Sequence, residues 1–209
     1  MDGRSAEGIV RVSARRGLLI ALAALLPGCV TDQQIHDAIT AVNAEFKRQY
    51  EKVLEADGTH VVDVSRDRAF EAMIAAVTSL GMRVESQDRG LGYLSFVAPA
   101  PKPLSPQEWQ HAVDADLPMM REIVRPHIGI LAEFMKFDPG AFEIVITVAI
   151  LPMGDRSSVS LTMRMREKED ARPSPFPRRE YPPPTALRIG IAKIWSAFGR
   201  ELYPARQRP

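Results

Sequence analysis

The chain has 209 residues, of which 45% are hydrophobic and 25% charged, with a formal net charge of +1. These values suit one sizeable globular domain with appendages, and the near-neutral balance removes the case for nucleic acid, which needs a strongly basic surface. A single cysteine, Cys29, excludes an internal disulfide and any cysteine-based zinc cluster, and no apolar run of about 18 residues reads as a transmembrane helix.

Residues 1–16 carry Arg4, Arg11, Arg15 and Arg16, residues 17–26 read GLLIALAALL, and Leu26-Pro27-Gly28-Cys29 comes next. A basic stretch, an apolar stretch and a small-residue zone form the layout of a secretory signal. The apolar stretch is too short to span a bilayer. The tetrapeptide resembles the lipobox of bacterial lipoproteins: an aliphatic residue, a tolerant position, Gly or Ala, then Cys. That resemblance implies that 1–28 is a removed signal peptide. It also implies that the Cys29 thiol carries a diacylglyceryl group and that the new amine is acylated. One acyl chain holds a protein marginally, at about 0.8 kcal/mol per buried CH₂, whereas two or three anchor it stably. An ordinary signal peptide, or a buried helix with an incidental cysteine, is the alternative. Arg15-Arg16 before Gly17-Leu18-Leu19 resembles a twin-arginine export signal, a pairing also common in other export signals. Val30 stands where sorted Gram-negative lipoproteins kept at the inner membrane carry Asp. By that resemblance the address is the outer membrane, facing the periplasm.

Residues 29–57 are expected to form the lipidated cysteine and an amphipathic tether helix. Ile35, Ile39, Val42, Phe46 and Val53 recur at helical spacing over 32–56. Asp32 can cap the start and Gly58 can end it. The stripe can pack on the adjoining domain, pair with another protein, or lie on the membrane.

Residues 58–204 are expected to form the main domain. THVVDV at 59–64 has strand composition. Ser65 is a good N-cap for a helix whose stripe is Phe70, Met73, Ile74, Val77 and Leu80, and Gly81 suits its end. MRVES at 82–86 alternates, Asp88-Arg89-Gly90 supplies a turn, and YLSFVA at 93–98 reads as the return strand. Prolines 99, 101, 103 and 106 then stop regular structure. Ser105-Pro106-Gln107-Glu108 is a capping box with proline at the first helical position. It predicts a helix from Pro106 to near Asp116, with Pro118 and Pro126 interrupting its continuation. HIGILAEFMKF at 127–137 fits both helical and alternating templates, with helix favoured. Together 104–137 form a helical insert. FEIVITVAIL at 142–151 is apolar on both faces and predicts a central strand. SSVSLTMRMR at 157–166 alternates cleanly, with Val159, Leu161, Met163 and Met165 inward. A Pro-rich loop is expected over 167–184. A last helix is expected over 185–202, with the stripe Leu187, Ile191, Ile194, Trp195, Phe198 and Leu202.

The order β-α-β-β-insert-β-β-α predicts an α+β two-layer sandwich, a mostly antiparallel sheet with helices on one face. Over VDVSRDRAFEAMIAAVTSLGMRVESQDRGLGYLSF the chain resembles the helix-grip modules of small envelope lipoproteins, such as those that belong to the outer-membrane β-barrel assembly machinery. The resemblance covers about 40 residues of common types and does not extend to the insert. It implies a helix-grip-like fold and an envelope location, and no functional residue.

The residues give no catalytic constellation. His36, His60, His111 and His127 have no metal-ligand spacing with one another, so no metal or other cofactor is expected. His111 and Asp114 can share a helix face, with Asp116 and His127 nearby in sequence, and are better read as a solvated polar face. No Gly-x-Ser-x-Gly elbow occurs, and GLG at 90–92 lacks a dinucleotide fingerprint. From 164 to 209 eleven Lys/Arg face five Asp/Glu. That excess suits anionic lipid headgroups or an acidic partner, or simply a solvated surface. Trp109, Met119 and Met120, with Ile123 and Val124, are candidates for an adaptable apolar contact surface or for plain core. The chain therefore reads as a non-enzymatic envelope protein, lipid-anchored through Cys29 and acting on a protein partner. The alternative is a carrier of a small apolar ligand in a pocket between the last helix and the sheet, lined by Trp195 and Phe198.

Overall fold

The computed structural model describes residues 30–168 and 177–204. The expected signal peptide, Cys29, the middle of the Pro-rich loop and the last five residues lie outside that range. The described chain runs α1 (Asp32–Asp57), β1 (Thr59–Val62), α2 (Arg66–Ser79), β2 (Arg83–Asp88) and β3 (Tyr93–Pro99). It continues with α3 (Pro106–Ile128), a 3-10 turn (Gly129–Phe134), β4 (Phe142–Met153), β5 (Arg156–Glu167) and α4 (Pro184–Leu202).

Five strands form one sheet in the order β1-β5-β4-β3-β2, and every neighbouring pair is antiparallel. The architecture is α+β, with β4 central as its two-sided apolar sequence requires. Alternation sets which face is covered. Phe142, Ile144, Ile146, Val148 and Ile150 of β4 are buried with Val159, Leu161, Met163 and Met165 of β5. The helices lie on that side, α2 and α4 directly against the strands. The other face is mixed, with Ser95 and Val97 buried on it and charged groups beyond them. There Arg166 donates to Glu85 at 2.8 Å and to Glu143 at 3.0 Å, and Ser95 donates to the second Glu85 oxygen at 3.0 Å. The bond from Arg166 is the largest of the causes that hold the Glu85 carboxyl below its ordinary range.

α1 belongs to the same hydrophobic cluster as the sheet: Val42, Phe46, Tyr50 and Val53 are buried in it. Of the three roles open to the tether helix, packing on the domain is the one observed. The helix starts with Asp32 inside its first turn. It ends as Gly58 N donates to the Leu54 carbonyl at 2.9 Å. Trp195 of α4 closes the junction. Its Nε1 donates to the Asp57 carbonyl at 2.7 Å, and its ring stacks on His60 with centroids 4.2 Å apart.

α3 departs from expectation. It continues through Pro118 and Pro126 to Ile128. A proline removes one helical hydrogen bond and crowds the carbonyl four residues earlier. Here those carbonyls belong to Asp114 and Glu122, both on exposed residues, so water can satisfy them. The buried stripe Trp109, Ala112, Val113, Asp116, Met120 and Val124 keeps helical spacing across Pro118. The capping box at Ser105 is present in both directions, at 3.2 Å to Glu108 N and 2.7 Å to Ser105 N. Over 127–137 helix is found only in part: two residues of α3, the 3-10 turn, then extended chain. The Pro-rich connection is also shorter than expected at its borders, since Glu167 belongs to β5 and Pro184 to α4.

Candidate functional site

The insert ends in a turn that is fixed beneath and apolar outside. Gly129 turns the chain out of α3 with a φ of 57°. Ala132 is buried. Glu133 is gripped from α3: Arg125 Nη2 donates to its carboxylate at 2.5 Å, and Arg121 Nη2 donates to its carbonyl at 2.9 Å. Phe137, just beyond, lies 5.8 Å from Trp109 and 6.3 Å from Phe142 between ring centroids. With the turn pinned, Ile130 and Phe134 are each 75% exposed and Leu131 is 49% exposed. Three large apolar side chains exposed on one held turn are unfavourable in water.

Beside this turn a cavity of about 170 Å³ opens between α1 and α3. Ile35, Ala38, Ile39 and Val42 come from α1, Met120, Val124 and Ile128 from α3, and Met135 from the chain after the turn. Asn43 and Arg179 are its polar members. Arg179 sits on the strap 177–183 that leads into α4. Hydrogen bonds to its backbone hold the strap: Asn43 Nδ2 donates to the Arg178 carbonyl at 2.8 Å, and Met165 N donates to the Glu180 carbonyl at 2.9 Å. The half-buried Arg179 guanidinium lies 5.2 Å from the Phe137 ring centroid. Among the described residues no oxygen accepts a hydrogen bond from it. Burial pushes its pKa below the ordinary arginine value, and the charge of Glu167 offsets this in part.

Of the residues singled out in sequence, Met120 lines the cavity and Met119 is half-buried beside the core. Trp109 is buried, and its Nε1 has no hydrogen-bond partner among the described residues. Trp195 and Phe198 do not line the cavity. The space expected between α4 and the sheet is closed where Gly190 meets β5: a Cβ there would lie 2.6 Å from Met163 Sδ. Leu187, Ile191, Ile194 and Phe198 join the common core. The cavity described above lies across α1 and α3 and not at α4. Arg179 had no local signal, being one of several arginines in a charged, proline-rich stretch.

The polar residues of α3 do not assemble into a reactive cluster. His111 is exposed, and Asp114 accepts from Gln110 Nε2 at 2.8 Å. Asp116 turns inward to α4, where it accepts from Thr185 N at 2.8 Å and Thr185 Oγ1 at 2.7 Å. Among the described residues no three His, Cys, Asp or Glu side chains are placed to hold a metal ion, and no helix is long and apolar enough to cross a membrane. No family model and no curated protein sequence matches the chain.

Proposed function

We propose that this chain is a non-enzymatic protein of the cell envelope, held at the outer membrane by lipid on Cys29 and facing the periplasm, and that it acts by binding another protein. The anchoring part rests on the basic, apolar and Leu26-Pro27-Gly28-Cys29 sequence. The contact part rests on one structural observation: Ile130, Leu131 and Phe134 stand exposed on a turn that Arg121 and Arg125 hold in place. An envelope assembly or maintenance role suits a protein that recruits a partner to a bilayer. The outer sheet face also exposes Val61, Leu151 and Met153, at the end away from the Arg166 bridge to Glu85 and Glu143.

Two measurements test this reading separately. Mass spectrometry of the native product should find acyl groups on Cys29; an unmodified thiol in a chain still carrying its leader removes the anchoring part. A photo-crosslinking residue at position 134 should yield one discrete protein adduct in intact cells, and Leu131→Asp should abolish it. The same probe at Gln87 on β2 should yield none. Equal adducts from both positions would remove the contact part.

A further inference from the structure

We propose that the cavity between α1 and α3 binds a free fatty acid, with its carboxylate on Arg179 and its first carbons against Ile39, Val42, Met120 and Val124. This goes beyond the contact role above and does not depend on lipid at Cys29.

The chemistry is set by the walls. Apart from Asn43 and Arg179, every lining residue is apolar. Asn43 Nδ2 is already committed to the Arg178 carbonyl. A peptide segment would bring amide groups that find no partners there, and unpaired amides are costly to bury. An alkyl chain brings none. The guanidinium is the opposite case: half-buried, 5.2 Å from the Phe137 ring centroid, within reach of the Glu167 charge but without a hydrogen-bond acceptor among the described residues. A carboxylate matches its planar fork with two parallel hydrogen bonds. An apolar wall beside a half-buried cation thus selects an acid with a hydrocarbon tail. The size agrees. A dry apolar cavity of about 150 Å³ accommodates a benzene-sized solute, so about 170 Å³ takes some six carbons. The cavity is partly open to solvent, so a longer tail can continue outward.

The test titrates the full chain carrying Cys29→Ser, so that no attached acyl group competes, with carboxyl-¹³C decanoate below its micelle threshold. Saturable binding at one site is expected, with decanol about tenfold weaker or worse. Arg179→Gln should bring decanoate down to the level of decanol, and Arg179→Lys should recover part of the difference. Ala38→Phe, which fills the cavity and keeps Arg179, should abolish both; it decides the matter if Arg179→Gln fails to fold. Equal affinity for acid and alcohol, undiminished binding by Arg179→Gln or by Ala38→Phe, or no saturable binding would overturn the proposal. So would binding to phosphatidylglycerol vesicles without binding to the monomeric acid, which would mark a membrane-surface site instead.

Discussion

Asp116 joins two helices with one carboxylate. It is buried on α3, yet both of its hydrogen bonds go to Thr185 in the first turn of α4. That helix starts after Pro183 with no side-chain cap of its own. Asp116 therefore satisfies an amide at an N-terminus that would otherwise lack a partner and places negative charge at the positive end of the helix dipole. Asp116→Ala leaves the part-buried Thr185 amide unpaired. It should lower stability by about 1–3 kcal/mol, read from denaturant unfolding. Glu108 makes the neighbouring link, 2.6 Å from Lys193 of α4. The bond from Lys193, then that from the Ser105 amide, lowers its pKa from 4.5 to about 2. The folded state thus favours ionised Glu108. Its contribution is complete above pH 4.5 and is lost as the pH falls from there towards 2. The side chain is 38% exposed, so solvent screening keeps the effect small. Between those pH values the melting temperature of Glu108→Gln should fall less steeply than that of the wild type. At neutral pH the variant should be less stable by under about 1 kcal/mol. The capping box that holds Glu108 was legible in four consecutive residues. The Asp116–Thr185 bond was not, because its partners are 69 residues apart and nothing local distinguishes Asp116 from the exposed Asp114.

At the level of elements, strict periodicity made some segments readable and local rules hid others. β4, β5 and α4 fell close to their expected limits, since alternation and a long apolar stripe each admit one reading. The β2–β3 hairpin also matched, and Gly92 shows why it closes. Its φ is 69°, and a Cβ there would run into the Ile150 carbonyl. α3 was cut short in sequence because proline inside a helix costs about 3 kcal/mol by itself. What keeps the helix going is burial of Met120 and Val124 beyond Pro118, together with the exposed position of the freed carbonyls. This gives a signed expectation. Pro118→Ala restores a hydrogen bond without touching the buried stripe. It should raise stability by about 1–2 kcal/mol once the lost rigidity of the unfolded chain is subtracted, seen as a higher melting temperature. A decrease would mean that the proline supports α3 rather than straining it.

For the whole molecule, the decisive placement is that of α1. Its stripe was visible at once, but periodicity says only that one face wants cover and not which surface supplies it. The cover turns out to be the core itself, along α3 and α4. The same ambiguity explains why the cavity was not legible. Ile35, Ile39 and Met120 stand out one by one, whereas their meeting with Arg179 depends on how four distant segments converge. A chain begun at Gly58 would lose the burial of Val42, Phe46, Tyr50 and Val53 and leave their counterparts wet. At about 2 kcal/mol for each such side chain, that loss is comparable to the stability of a typical domain. The truncated chain should show no cooperative thermal transition by circular dichroism.

Because α1 is folded into the body, it is not available as a spacer. Only Val30 and Thr31 stand between Cys29 and the first helical turn, a leash of about 10 Å at full stretch. If Cys29 carries lipid as proposed, that short leash leaves the start of α1 little room to move away from the acylated sulfur.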